Sequence, residues 1–424
     1  MTTPASSPPF FGWRVVAATF VLAAFGWGVG FYGPPVFLHA VVARTGWPVE
    51  LVSAAVTAHF LVGAAVVANL PRLYRALGVP LVTSLGAGLL GFGVLGWAVA
   101  AAPWQLFAAA LASGTGWVAM GAAAVNALVA PWFERRRPAA LGLAYNGASL
   151  GGMVFSPLWA ALIGGLGFPL AALAVGAVML PVVGLLAALV FTRTPEGLGQ
   201  HPDGEAAAMP APAAAAPAAR PLPAGPPWRD RRLLTLAAGM ALGLFAQIGL
   251  LAHLFSLLVP ALGAAAGLAM GGATLAAILG RSAVSWWMPA WADRRHVACL
   301  SHAVQLAGSL LLLAAVAGGG AWVLPGLLLG LALFGLGIGN ATSLPPLIAQ
   351  GEFTAQDARR VVPWIVATGQ ACYAFAPAIF GLLRGVAERG EALFLLAALV
   401  QAAAIGAFLA GQRRWRMEWD SNPR

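Results

Sequence analysis

The chain has 424 residues, of which 60% are hydrophobic and only 8% are charged. A soluble domain carries about 25% charged residues because its surface faces water, so most of this surface is expected to face lipid. The formal net charge of +10 does not indicate a nucleic-acid-binding protein, because the basic residues lie in short loops between apolar runs. Composition therefore predicts a polytopic α-helical membrane protein whose partner is the lipid bilayer, with no nucleic-acid partner.

The first half of the chain contains six apolar runs of about 20 residues, the length at which a helix crosses the hydrocarbon core. The first ten residues have no basic segment and no evident cleavage site, so the first run is predicted to be a retained span and not a signal peptide. These predicted spans 1 to 6 lie near Trp13–Leu38, Leu51–Leu70, Val79–Ala101, Trp104–Ala130, Ala139–Leu162 and Phe168–Phe191.

An Ala- and Pro-rich stretch follows span 6, and it is predicted to be a disordered linker because it cannot bury apolar surface. Six further runs, spans 7 to 12, lie near Leu233–Leu258, Ala264–Met288, Val297–Val316, Trp322–Ile348, Val361–Leu383 and Ala392–Ala410. The predicted domains are an N-terminal six-helix bundle, a linker, a C-terminal six-helix bundle and a tail, over residues 1–192, 193–232, 233–411 and 412–424.

The distribution of arginine predicts the orientation in the membrane. Nineteen arginines lie in the termini, the linker and the even-numbered loops, whereas the opposite side holds Arg44 and Arg389, with Arg384 near its boundary. Cytoplasmic loops carry an excess of basic residues. Both termini are therefore predicted to be cytoplasmic, in a multi-pass protein of the cell's inner (plasma) membrane.

The two halves repeat short patterns at a spacing of about 220 residues. Gly114-Thr115-Gly116 in span 4 corresponds to Gly335-Leu336-Gly337 in span 10, and Phe155-Ser156-Pro157 in span 5 corresponds to Phe375-Ala376-Pro377 in span 11. The shared offset and the equal division of spans indicate a duplicated six-helix unit. Duplicated bundles with a midplane site between them are typical of secondary transporters.

The loops after spans 2 and 8 resemble the G-x-x-x-D-R-type loop of the major facilitator superfamily, and the resemblance extends over essentially the whole chain. The second copy, Pro289–Arg295, keeps the acidic and basic residues, whereas the first copy, Asn69–Gly78, has lost the acid. The resemblance implies an all-α fold of two pseudo-symmetric six-helix bundles that works by alternating access. It also implies a gating role for the loop residues Asp293, Arg294, Arg72 and Arg75.

Within that superfamily, the chain resembles the monocarboxylate transporter and oxalate/formate antiporter branch. The similarity rests on Gly12-Trp13-Arg14, on Trp132–Pro138 and on Thr194–Gly199. That branch carries an arginine in span 8 that pairs with a substrate carboxylate, and Arg281 matches it. The chain departs from the branch where some relatives have an aspartate, because Ala277 stands there, and it has no lysine in span 1 or span 11.

Arg281 also stands out because of its depth in the membrane. It lies twelve residues before Asp293, which places it near the middle of the membrane at about 1.5 Å per residue. An arginine there costs at least about 2.5–3.5 kcal/mol on insertion scales, so it is expected to face the bundle interior. No Asp or Glu falls within the twelve predicted spans, so an anionic substrate is expected to supply the counter-charge. The alternative is that Arg281 hydrogen-bonds to backbone carbonyls or extends toward the cytoplasm.

Other polar residues within the spans have two possible roles, lining the transport path or forming hydrogen bonds between helices. His59 and His253 are candidates for proton coupling, because an imidazole titrates near neutral pH. The remaining candidates for substrate binding, besides Arg281, are Thr274, Ser285, Tyr32, Tyr145, Ser149, Asn340, Gln370 and Tyr373.

The function predicted from these residues is secondary active or facilitative transport of a small organic anion, a monocarboxylate, by a monomer without a cofactor. One alternative is an efflux carrier for a neutral or cationic compound, and another is a membrane sensor without transport. An enzyme is not predicted, because the chain has no paired carboxylates, no metal-ligand spacing and no nucleotide-binding loop.

Overall fold

The computed structural model describes residues 9–204, 221–222, 227–289, 292–386 and 390–420. These residues form helices joined by short turns, and none of them is in a β-strand. The α-helices are α1 (Gly12–Gly30), α2 (Gly33–Thr45), α3 (Val49–Leu77), α4 (Val79–Val99), α5 (Pro103–Ala119), α6 (Ala122–Val129), α7 (Arg137–Leu166), α8 (Phe168–Leu186), α9 (Arg231–Leu262), α10 (Ala266–Trp287), α11 (Arg294–Gly318), α12 (Val323–Glu352), α13 (Ala355–Ala374), α14 (Ala376–Val386) and α15 (Glu391–Asp420).

The helices account for the twelve predicted spans. The described residues contain eleven segments that are long and apolar enough to cross a membrane, and the longest of them, Arg231–Trp287, holds both α9 and α10. Spans 1, 4 and 11 each consist of two helices in sequence, α1 with α2, α5 with α6, and α13 with α14. The predicted fold class, an all-α polytopic membrane protein, is therefore confirmed.

Helices α1 to α8 and helices α9 to α15 form two bundles, which contact each other at the membrane side opposite the termini. There α2 packs on α9 and α3 packs on α14. The Thr57 hydroxyl of α3 accepts a hydrogen bond from the backbone N–H of Ala378 in α14, with 3.0 Å between the two atoms. Toward the side that carries the start of α1 and of α9, a cavity separates the bundles.

Glycines allow two close helix contacts that position the site. A Cβ added to Gly147 of α7 would lie 2.0 Å from the backbone oxygen of Phe20 in α1. A Cβ added to Gly271 of α10 would lie 2.8 Å from the backbone oxygen of Met153 in α7. Span 5 is thus packed against span 1 within its own bundle and against span 8 of the other bundle. This contact places residues of α7 beside Arg281 of α10.

The prediction of disorder is wrong for the first part of the linker, because Glu196–Leu198 and Pro202–Gly204 form 3-10 turns. The buried Asp203 carboxylate accepts hydrogen bonds from the backbone N–H groups of Glu134, Arg135 and Arg136, at 2.8 to 3.2 Å. Polar contacts of this kind leave no trace in hydropathy, which explains the wrong prediction. Residues 205–220 and 223–226, which include Arg220, lie outside the described residues.

The last helix continues past the predicted start of the tail at residue 412, since α15 extends to Asp420. Residues 421–424, and Arg389 in the loop before α15, lie outside the described residues.

Candidate functional site

A cavity of about 550 Å³ lies between the two bundles. Spans 1, 2, 4, 5, 7, 8, 10 and 11 contribute to its wall, so both halves of the chain form it. Val67, Met240 and Thr342 extend the wall toward the side of the termini. Its polar lining consists of Tyr32, Tyr145, Ser149, Gln247, Arg281, Thr342, Ser343, Gln370 and Tyr373.

Arg281 is the one charged side chain among the described residues that line this cavity. Its Nη2 donates a hydrogen bond to the Ser149 hydroxyl of span 5, with 2.9 Å between the two atoms. Span 10 packs closely behind it, because a Cβ added to Gly339 would lie 3.0 Å from the Cβ of Arg281. The hydrogen bond shows that the guanidinium extends toward span 5. The residue type and the position suit the binding of an anion.

Tyr32 of span 1 lies beside this guanidinium, between the two bundles. A Cβ added to Gly152 would lie 2.5 Å from the Tyr32 ring and 2.7 Å from the Thr274 methyl group, so these two side chains come together beside span 5. The Tyr32 hydroxyl is within hydrogen-bonding reach of Thr274. Hydroxyl groups of spans 1 and 5 therefore lie next to the one charge of the cavity.

Six of the nine predicted substrate-binding residues line the cavity, and the structure brings residues of spans 1, 5, 8 and 11 together there. Tyr145 is held in place by its hydroxyl, which accepts a hydrogen bond from Asn126 at 2.7 Å and donates one to the Ala122 carbonyl at 3.2 Å. The six residues are Arg281, Tyr32, Tyr145, Ser149, Gln370 and Tyr373.

The other three predicted residues lie outside the cavity lining. Thr274 is buried and donates to the Met270 carbonyl at 3.2 Å, one turn earlier in its own helix. Ser285 is exposed, and its hydroxyl donates to the backbone oxygen of Arg281 at 2.9 Å. Asn340 is buried and donates to the Gly280 carbonyl at 3.4 Å. These three contacts fit a role in helix packing, although Thr274 also orients Tyr32.

The two predicted proton-coupling histidines are buried and do not line the cavity. His59 uses both ring nitrogens, with the Ser113 hydroxyl and the Gly30 carbonyl each at 2.9 Å. The Nε2 of His253 lies 3.1 Å from the Pro377 carbonyl, at the closed end of the bundles. Neither histidine belongs to the described lining of the cavity, and proton coupling stays a prediction.

Sequence reasoning missed several residues of the lining. Trp27, Phe31 and Trp117 supply aromatic faces, and Gln247 supplies an amide. An aromatic residue in an apolar run has the same sequence signature whether it faces lipid, the core or a cavity. The one available signal was the glycine-rich surroundings of Trp117, between Gly114 and Gly121, where the backbone of neighbouring helices comes close.

Two of the predicted gating residues, Asp293 and Arg294, lie next to an ion pair that the motif did not indicate. Arg295 is 2% exposed and donates two hydrogen bonds to Glu352 at the end of span 10. The distances are 2.8 Å from Nη2 to Oε2 and 2.5 Å from Nε to Oε1. Asp293 is the N-cap of α11 and accepts from the backbone N–H of Arg295 at 2.8 Å. The principal ion pair of this loop therefore involves Arg295 and Glu352.

The other three predicted gating residues are arginines, and all three are exposed. Arg294 donates to the Leu347 carbonyl at 2.7 Å, and Arg72 donates to the Asn69 side chain at 3.1 Å. Arg75 lies in the last turn of α3. Their role in gating stays a prediction.

The sequence pattern of the Major Facilitator Superfamily matches residues 15–377. Among solved structures, the chain is similar to a bacterial homologue of the human lysosomal transporter Spinster in an inward-facing and occupied conformation. The TM-score is 0.70 with 14% identity, over 96% of this chain and 98% of that one. It is also similar to the nucleoside transporter NupG, with a TM-score of 0.70 and 12% identity, over 94% of this chain and 99% of that one. No curated protein matches the chain in sequence. The extent of the family match shows that the chain belongs to the Major Facilitator Superfamily.

Proposed function

We propose that this transporter carries a small organic anion, a monocarboxylate, across the membrane by alternating access. The observation that carries the proposal is Arg281, a guanidinium on the cavity wall with Ser149 as its hydroxyl partner. No carboxylate belongs to the described lining. A substrate carboxylate would supply the counter-charge and would accept two parallel N–H hydrogen bonds from the guanidinium.

The number and sign of the charges support a monoanion over other classes of substrate. A dicarboxylate would bring two negative charges to a described lining that holds one cation. A cationic compound would be repelled by Arg281 and would find no acidic side chain in that lining. The resemblance to the monocarboxylate transporter and oxalate/formate antiporter branch implies an anion-binding arginine in span 8 and supports this choice.

The cavity is closed by contacts on one side and extends toward the other, and this arrangement supports alternating access. The bundles touch on the side opposite the termini, where Ala378 donates to Thr57, and the cavity extends toward the other side. Opening the closed side requires rocking of one bundle against the other, which would break this hydrogen bond. From the arginine distribution we further infer that the cavity faces the cytoplasm, in the inner membrane. We also propose that the carrier acts as a monomer.

The test is uptake by proteoliposomes of a radiolabelled panel of lactate, pyruvate, formate, acetate and an aromatic acid. Wild type is compared with Arg281→Gln and with Arg44→Gln. The second variant removes an equal charge from a residue that donates to the Ala100 carbonyl at 2.9 Å, outside the cavity. Uptake of at least one acid is expected in wild type and in Arg44→Gln, with a loss of at least about tenfold in Arg281→Gln. Equal uptake by folded Arg281→Gln would show that Arg281 does not bind the substrate.

A further inference from the structure

Five aromatic side chains, in addition to Tyr32, line the cavity that contains Arg281. Span 1 contributes Trp27 and Phe31, span 4 contributes Trp117, span 5 contributes Tyr145, and Tyr373 comes from span 11. An acid of two or three carbons is too small to contact Arg281 and rings from all of these spans at once. The volume of about 550 Å³ is also in the usual range for sites that enclose larger ligands, about 300–1,000 Å³.

The rings are held in place by contacts with one another. Trp27 and Tyr145 are perpendicular, with their centroids 6.1 Å apart, and Tyr145 is also fixed by its hydrogen bond with Asn126. Phe31 packs against Trp117 with 5.9 Å between the centroids. Each pair therefore presents rigid ring faces and edges, the surfaces that aromatic groups prefer to contact edge-to-face or offset.

Four of the five rings and the charge belong to different bundles. Trp27, Phe31, Trp117 and Tyr145 are in the N-terminal bundle, whereas Arg281 is in the C-terminal bundle. A substrate that has a carboxylate at one end and a ring at the other can contact both bundles at once. A short acid bound at Arg281 has no ring to place among these aromatic side chains.

We propose that the substrate is an aromatic monocarboxylate, with its carboxylate at Arg281 and its ring among Trp27, Phe31, Trp117 and Tyr145. This inference rests on the proposed function and narrows its substrate class. The carboxylate is bound by the guanidinium beside the Ser149 and Tyr32 hydroxyls. The ring gains apolar contact and edge-to-face packing that an acid without a ring lacks. The two contacts together select against short aliphatic acids and against neutral aromatic compounds.

The test is isothermal titration calorimetry of the purified full chain in detergent with phenylacetate, acetate and phenylacetamide. Binding is measured directly because protonated aromatic acids cross lipid on their own. Phenylacetate is expected to bind at least about tenfold more tightly than acetate, a ratio that corresponds to the added apolar and aromatic contacts. Phenylacetamide, which has the same ring without the charge, is expected to bind at least about tenfold more weakly than phenylacetate.

Two variants separate the ring contacts from the charge. Trp27→Leu is expected to weaken the binding of phenylacetate about fivefold or more and to change the affinity for acetate by less than about twofold. The matched control, Trp104→Leu, replaces a tryptophan that is 70% exposed and outside the cavity, and it is expected to change neither affinity. Arg281→Gln is expected to weaken both acids. Melting temperatures of all proteins verify that each variant is folded.

The outcomes distinguish this inference from the proposed function. Equal affinity for acetate and phenylacetate, with both lost in Arg281→Gln, would contradict an aromatic substrate. The proposal that the protein carries an organic anion would still stand. Equal affinity for phenylacetate and phenylacetamide, unaffected by Arg281→Gln, would contradict both the aromatic monocarboxylate and the proposed transport of an anion. Binding of none of the three compounds by folded wild type up to about 10 mM, well above ordinary substrate concentrations, would overturn the aromatic class.

Discussion

Arg281 of span 8 donates a 2.9 Å hydrogen bond to Ser149 of span 5, and this bond crosses from one bundle to the other. The two helices also pack closely around Gly271, so the bond lies beside a contact that persists along both spans. An anion that binds Arg281 shares or replaces the bond to Ser149. If the proposed anion binds there, occupancy of the cavity is expected to change this contact between the bundles, as a ligand-driven conformational change requires.

Ser149→Ala tests the importance of this bond. The variant is expected to weaken binding of the transported anion by about 3- to 10-fold, because one hydrogen bond contributes about 0.5–1.5 kcal/mol. The measurement is the apparent KM of proteoliposome uptake. Ser285→Ala is the control, since its hydroxyl donates to the backbone of Arg281 outside the cavity. Equal effects of the two variants would contradict a specific role for Ser149 at the site.

Gly147→Ala tests the contact between spans 1 and 5. The added methyl group would lie 2.0 Å from the Phe20 carbonyl, and overpacking of this kind costs about 1–3 kcal/mol. We expect a lower melting temperature in detergent and a loss of uptake. Gly142→Ala in the same helix is the control, because no atom outside its own helix lies within 4 Å of the new methyl group. A melting temperature for Gly147→Ala at or above that of Gly142→Ala would show that the spans separate without cost.

Glu352→Ala tests the ion pair beside the loop between spans 8 and 9. It leaves Arg295 buried without its carboxylate, and breaking a buried ion pair costs about 3–5 kcal/mol. The melting temperature of the purified protein is expected to fall clearly. The double variant Arg295→Met with Glu352→Met removes both charges and is expected to recover most of the loss. A double variant as unstable as the single one would indicate that the side chains contribute through packing and not through charge.

Asp203→Ala tests the contact between the linker and the loop before span 5. Burial alone would raise the pKa of Asp203, but hydrogen bonds from three backbone N–H groups and the charge of Arg135 lower the pKa below its usual value. The stabilisation from this contact is therefore fully present above about pH 3.9, the pKa of an aspartate in an unfolded chain. It is lost as the pH falls through the lower pKa of the folded state.

At pH 7, Asp203→Ala is expected to increase amide hydrogen exchange at residues 134–136 by about tenfold or more, since three hydrogen-bond acceptor contacts are lost. The control, Glu196→Ala, removes an exposed carboxylate from the same part of the linker and is expected to leave this exchange unchanged. Unchanged exchange in Asp203→Ala would mean that other contacts hold the loop.

Sequence reasoning was most successful where a single property decides the outcome. Twelve spans follow from runs of apolar residues, because lipid accepts a backbone only when a helix satisfies its hydrogen bonds. Arg281 stood out for a related reason, since a charge at mid-membrane depth is costly unless it faces the interior. The linker is the counter-example, because Asp203 is ordered by backbone N–H groups about 70 residues earlier in the chain.

The sequence by itself determined that this chain spans the membrane twelve times and that it carries one arginine in the middle of span 8. Both follow from the cost of placing polar groups in hydrocarbon, which acts on each segment separately. Only the tertiary structure decided that Trp27 and Trp117 face the same cavity as Arg281, and that Ser285 and Asn340 do not. Those positions depend on how each helix is rotated against its neighbours, and close contacts such as Gly147 with Phe20 set that rotation after the helices have formed.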